Sequence, residues 1–297
     1  LAFVKSPIQR VITALLRALG LMAYRLSPEG RARLGRCAGE ILRFLSASRR
    51  RITLENLRRA FPDRDDASLR MTARASYRSL GTTLVELLTF PHITPSEARA
   101  MIDMHGTEAI EEEVRNGRGV LLISGHFGNW ELLAFTFPLY TNIPTSVIVA
   151  PQSNQYAEQY LHWYRSRTGN RMIQMDKAAR TILERLRQAE AIALLADQAA
   201  TADRDVFVPF FGIPAATYEA PAALALKRNA AIFTAFAVRG ADGRYTAEFH
   251  RIPHEDLSPD KDGILELTRR HVQSLEDAIR QRPDLWAWQH RRWKHTP

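Results

Sequence analysis

Few side chains in this sequence have the types and spacing to do chemistry, and the first of them is His126, with Glu131 five residues further on. An imidazole whose ordinary pKa is about 6.5 can take a proton near neutrality. A carboxylate against one of its ring nitrogens leaves the other as the acceptor that a general base needs. On a continuous helix the two side chains would point roughly 140° apart, so a turn must bring them together. Gly125 and Gly128 give that turn its freedom, and Asn129 is placed to cap a helix starting near Trp130. Glu131 then falls in the first helical turn, where the dipole favours an ionised carboxylate. The plainer alternative is a His satisfied by backbone and a Glu on a solvated face.

Asp197 follows the apolar run Ala191–Ala196, so it stands at the carboxyl end of a strand and can converge on the same crevice as His126; the alternative is an Asp that caps the following loop. Arg165, Arg167 and Arg171 surround a helix-to-strand turn and suit either a phosphate clamp or solvated surface. Phe207, Phe210, Phe211, Ile213 and Pro214 make an apolar loop, which is either a wall for an acyl chain or folded core. There is no Gly-x-Ser-x-Gly elbow, P-loop, Gly-x-Gly-x-x-Gly or His-Glu-x-x-His. Serine hydrolase, nucleotide-phosphate and zinc-protease readings therefore lack their central residues, and Ser124 is a poor nucleophile candidate.

The elements that must hold these residues alternate. Strands are predicted at 119–124, 145–150, 171–175 and 191–196, with helices at 130–139, 154–167 and 177–189 between them. Such alternation implies βαβ units, hence an α/β fold with a mainly parallel central sheet flanked by helices. After Gln198 comes a long loop, then a helix near 218–227, strands near 231–238 and 244–251, a helix over 262–281 and a Trp-rich tail. Upstream, apolar residues at helical spacing predict an N-terminal helical layer, one helix of which is ended by Phe61-Pro62.

The 297 residues carry a net charge of +9, but residues 1–60 hold thirteen Lys and Arg against three Asp and Glu, leaving the remainder close to neutral. The chain therefore divides into a basic helical arm, 1–60, and a domain, 61–297. Residues 7–24 are apolar but interrupted by Arg10 and Arg17, which suits an interfacial helix better than a membrane span. The first residue is Leu, which leaves room for a longer anchor upstream. The mixture of charge and apolar surface predicts binding to anionic bilayers. A nucleic-acid-binding module is the rival for a basic arm, but no recognised nucleic-acid motif is present. The single cysteine, Cys37, excludes an internal disulfide and a Cys-rich metal site.

Several words occur in one order: Arg51-Ile-Thr-Leu-Glu-Asn56-Leu57 through Phe61-Pro62, Ser124-Gly-His126-Phe-Gly-Asn-Trp-Glu131, Ala196-Asp197-Gln198, Phe207-Val-Pro-Phe-Phe-Gly212, Ala216-Thr217 and Trp288-Gln-His290-Arg-Arg-Trp-Lys294. Together they resemble the bacterial lipid A biosynthesis acyltransferase family, within the glycerolipid acyltransferase superfamily and its His-x4-Asp/Glu motif. The resemblance implies transfer of a fatty acyl group from an acyl carrier protein or coenzyme A thioester to a hydroxyl of a membrane lipid. A lipid A precursor is the first expectation for that acceptor, with a lysophospholipid or another glycolipid as alternatives; this chain reads Asp197-Gln198-Ala199 where many members read Asp-Gln-Asp. It further implies His126 as general base with Glu131 as its partner, and substrate binding by Arg171, Arg167, Asp197, Gln198, Phe210, Phe211, Gly212 and Thr217. No cofactor or metal is expected, and the expected location is the cytoplasmic face of the bacterial inner membrane.

Overall fold

A computed structural model describes residues 7–151, 155–175, 178–200 and 206–295. The predicted helix starts at 154 and 177, and the first six residues of the basic arm, lie outside the described residues.

Helices α1 (Pro7–Tyr24), α2 (Pro28–Leu45), α3 (Ala47–Ala60) and α4 (Asp66–Thr89) come first. Side chains at their boundaries set the starts: Ser27 accepts from the Gly30 N–H, Ser46 from Arg49 and Asp65 from Ser68, each satisfying a donor with no partner inside the helix. Phe61-Pro62 ends α3 as the sequence predicts. Helices α2 and α4 pack backbone to backbone, because glycines leave room at the crossing. A Cβ on Gly39 would come within 2.1 Å of the Tyr77 carbonyl oxygen, and one on Gly81 within 2.3 Å of that of Gly35.

The chain continues through α5 (Pro95–Ala100), β1 (Ile102–His105), α6 (Thr107–Arg115), β2 (Val120–Ser124), α7 (Trp130–Thr141), β3 (Thr145–Val149), α8 (Gln155–Ser166), β4 (Arg171–Gln174), α9 (Ala178–Arg187) and β5 (Ala191–Leu195). The next elements are β6 (Val206–Phe210), β7 (Ile213–Thr217), α10 (Ala220–Arg228), β8 (Ala231–Thr234), β9 (Val238–Arg239), β10 (Tyr245–Glu248), β11 (His250–Ile252) and α11 (Lys261–Gln281).

The fold is α/β, with a central sheet in the order β11-β8-β2-β5-β3-β4. Strand β2 lies parallel to β5 and β8, β3 lies parallel to β5 and β4, and β11 is antiparallel at the edge. The inner strands carry apolar side chains on both faces, as a sheet covered by helices requires: Val120, Leu121, Ile192 and Ile232 are fully buried. The register sets Ser124 beside Leu195, so the residues that follow each of these strands emerge at the same edge of the sheet.

Two features differ from the sequence-based expectation. Strand β1 pairs with β10, and β10 with β9, in a separate three-stranded sheet. The long loop after Gln198 contains the hairpin β6–β7, whose two prolines face each other across the pair. Such prolines and the Gly212 turn read in sequence as loop.

Candidate active site

The turn that carries His126 is built by the close approach of three chain segments. Gly128, at φ +56°, is so near the Ala237 carbonyl that a Cβ would lie 1.8 Å from its oxygen, so this position requires glycine. The Gly128 N–H donates to the Leu285 carbonyl at 2.9 Å, and Ala287 N–H donates to that of His126 at 2.9 Å. The Trp-rich tail thus runs against the turn. Asn129 caps α7 by accepting from Leu132 N–H at 2.9 Å, and its amide donates to Glu86 at 2.7 Å. Glu86, on α4, is buried and also accepts from the Tyr245 hydroxyl at 2.7 Å, so α4 and β10 jointly fix the amide whose oxygen starts the helix.

His126 sits at the edge where β2 ends. Its Nδ1 lies 2.8 Å from Asp197 Oδ1, and its backbone N–H donates to Asp197 Oδ2 at 2.8 Å. The indole N–H of Trp286 donates to that same Oδ2 at 2.9 Å. Asp197 is only 3% exposed. Burial alone would raise its pKa, but the imidazole's charge and these hydrogen bonds outweigh burial and hold it at about 2. For His126 burial works against the cation, yet the Asp197 carboxylate, with a smaller contribution from Glu131, carries the imidazole pKa above its ordinary value. An ionised acceptor on Nδ1 fixes the proton there and leaves the Nε2 lone pair free for an incoming proton. The Gln198 amide nitrogen stands 3.4 Å from Nε2, a weak contact that a substrate hydroxyl can displace.

The expected contact between His126 and Glu131 is therefore corrected: Asp197 supplies the carboxylate on the ring. Glu131 instead binds Arg165 through two parallel hydrogen bonds of 3.1 and 2.6 Å. Both of these side chains are mostly buried and line the same cavity as His126. Loss of either partner leaves the other charged and desolvated, so Glu131→Ala and Arg165→Ala should each cost on the order of 3 kcal/mol in stability. The double variant should cost less than their sum. Chemical denaturation of the three variants checks this.

Two hollows meet at His126. One, of about 240 Å³, opens between His126, Trp130, Glu131 and Arg165 and runs inward past Leu122, Ala193, Phe135 and Phe249. Its inner wall is mostly hydrocarbon, with Ser124, Thr145 and Asn170 as polar members. The other, of about 310 Å³, lies towards the N-terminal helices and is bounded by Leu42, Arg49, Tyr77, Gln198 and His290. Burial lowers the His290 pKa to about 4, and its Nε2 accepts the Ala199 N–H at 3.0 Å. His290 is thus a neutral strut beneath the Asp197 loop.

Several other expected substrate contacts stand away from these hollows. Arg171 begins β4, so it lies at the amino edge of the sheet, paired with Glu190 at 2.9 Å. Arg167 donates to the carbonyls of Phe90 and Pro91 and thereby ties α8 to the end of α4. Phe210 and Phe211 are buried against Trp286, Trp288 and Phe61, so these two are core rather than an acyl wall, while Phe207 and Ile213 are half-buried and Pro214 is exposed. Gly212 is the turn of the β6–β7 hairpin, and the Thr217 hydroxyl accepts from Arg292 at 2.6 Å within that packing. Ser124 donates to the Ala235 carbonyl at 2.7 Å, a structural bond between strands.

Trp286 as a donor to Asp197 and the pairing of Arg165 with Glu131 are not among the sequence-based expectations. The tail's tryptophans and the arginine at the end of α8 were visible, but contacts between such distant positions leave no periodic signal.

The model of the bacterial lipid A biosynthesis acyltransferase family matches residues 5–295, and the chain belongs to that family. It is 27% identical over 265 residues to a lipid A biosynthesis palmitoleoyltransferase of Escherichia coli (strain K12), covering 89% of this chain and 85% of that protein. It is 24% identical over 266 residues to a lipid A biosynthesis lauroyltransferase of the same organism, with the same two coverages, 89% and 85%. A lipid A biosynthesis acyltransferase of Haemophilus influenzae is 24% identical over 270 residues, covering 89% of this chain and 84% of the relative. The chain is thus an O-acyltransferase of the lipid A biosynthesis type.

Proposed function

We propose that the chain transfers a fatty acyl group from a thioester, carried by acyl carrier protein or coenzyme A, to a hydroxyl of a lipid A precursor. The observation that carries this reading is the position of His126, oriented by Asp197, where an apolar cavity meets a second hollow open towards the N-terminal helices. The hydrocarbon cavity suits the acyl chain and the second hollow the acceptor hydroxyl.

In this mechanism Nε2 takes the hydroxyl proton while the oxygen attacks the thioester carbonyl. The C–S bond of the tetrahedral intermediate then breaks, and the imidazolium returns its proton to the departing thiolate. Developing negative charge on the carbonyl oxygen is met by the positive end of α7 and by Arg165, which Glu131 holds at the mouth of the acyl cavity. Glu131 acts here through Arg165 and through its field on His126, not through a hydrogen bond to the ring. No covalent enzyme intermediate is required.

The test is a mass-spectrometric assay of purified protein with acyl carrier protein and coenzyme A thioesters, each offered a lipid A precursor and a lysophospholipid. Gain of one acyl chain by the lipid A precursor supports the reading, and exclusive acylation of the lysophospholipid replaces the acceptor. Ala193→Phe, which fills the inner cavity, should lower turnover of long-chain donors more than of short ones. An equal loss for both would separate the acyl chain from this cavity.

The N-terminal helices supply the membrane contact in this reading. Val11, Leu15, Leu19 and Met22 on α1, and Ile41, Phe44 and Leu45 on α2, are exposed apolar side chains among many arginines. Among the described residues no helix is long and apolar enough to cross a membrane. Interfacial attachment combines that apolar face with charge, so binding to anionic vesicles should weaken as salt rises. Equal partition onto neutral and anionic vesicles at low salt would remove the electrostatic part of this account.

A further inference from the structure

On the other flank of the α2–α4 pair lies a separate hollow of about 280 Å³, lined by Arg36, Arg78, Arg239 and Arg282 together with the hydroxyl-bearing Ser79 and one carboxylate, that of Asp284. Gly128 also lines it, so it backs onto the turn that carries His126. Three of the arginines already have an acid. Arg78 binds Glu40 at 2.6 Å, Arg282 binds Asp284 at 2.9 Å, and Arg239 stands 3.7 Å from the buried Glu86. Arg36, exposed on α2, has no hydrogen-bond or ion-pair partner among the described residues.

A concave site with four guanidinium groups therefore retains one unanswered positive charge and unused N–H donors. Guanidinium forks match the tetrahedral oxygens of a phosphoryl group, two N–H donors to two oxygens. A carboxylate offers only two oxygens, too few to engage arginines arriving from α2, α4, β9 and the end of α11. We infer that this hollow binds a phosphoryl group, either that of an anionic lipid headgroup or free phosphate. The inference rests on these arginines and is independent of the acyl-transfer reading.

The test compares Arg36→Glu with Arg33→Glu, which makes the same change of charge on an exposed position of the same helix outside the hollow. Calorimetric titration of the full chain with inorganic phosphate should show binding that Arg36→Glu weakens about tenfold or more and Arg33→Glu by no more than about twofold. Arg282→Gln, which leaves Asp284 facing the hollow, should weaken it in the same direction as Arg36→Glu. In a second arm, flotation with phosphatidylcholine vesicles is compared with flotation on the same vesicles containing phosphatidic acid. If the wild type ignores free phosphate yet Arg36→Glu selectively loses the phosphatidic-acid-dependent binding, the site takes the phosphate of a lipid headgroup. If both arms respond selectively, it takes the phosphoryl group from either source. Equal behaviour of Arg36→Glu and Arg33→Glu in both arms overturns the inference.

Discussion

His126→Ala should abolish measurable acyl transfer while the protein remains folded. His126 is the group in the proposed mechanism that removes the acceptor's proton, and a positioned general base contributes about 10² to 10⁴ in rate. Its side chain lies at the junction of two hollows and is partly exposed, so its removal widens those hollows rather than leaving a sealed void in the core. Circular dichroism and the denaturation midpoint should therefore change little. Turnover at the wild-type rate in a folded His126→Ala protein would defeat the mechanism.

The second large effect is expected from Asp197→Asn. The amide keeps the volume but replaces an ionised acceptor that faces His126 Nδ1, the His126 backbone N–H and the Trp286 indole. An amide can present its NH₂ to Nδ1 and favour the wrong tautomer, so the rate should fall by about 10² to 10⁴, as for an acid-to-amide change behind a catalytic histidine. Asp197 acts through the imidazole and touches no substrate in this account. Its loss should appear mainly in kcat rather than KM. Because the same proton transfer is lost in both variants, adding Asp197→Asn to His126→Ala should cost little more than His126→Ala alone.

The turn that carries His126 was legible in the sequence because each of its parts has a local cause. The apolar run before Ser124, the glycines around His126 and the capping amide of Asn129 are short-range signals, and the structure has β2 and α7 at those places. Asp197 could be put near His126 because alternating strands and helices bring strand ends to one edge. Which carboxylate faces the ring was not legible. Glu131 is nearer in sequence, but the first turn of α7 directs it to Arg165, whereas β5 runs parallel to β2 and delivers Asp197 to Nδ1. Arg171 was misassigned for a related reason: the arginines around the helix-to-strand turn look alike in sequence, and only the strand direction shows that Arg171 starts β4 at the far edge. For Phe210 and Phe211 an acyl wall and folded core stay equally open in the sequence, because prolines obscure the hairpin and their burial depends on tryptophans far along the chain.

The His126–Asp197 pair is tested most directly by the pH dependence of single-turnover acyl transfer in the wild type and in Asp197→Asn. The base must be neutral, so activity should rise with pH, and because the Asp197 carboxylate outweighs burial in raising the imidazole pKa, the wild-type acid limb should have its midpoint above about 6.5. In Asp197→Asn that support is gone while burial remains, so the limb should move to lower pH as the maximal rate falls. An acid limb at the same pH in both proteins would contradict the account.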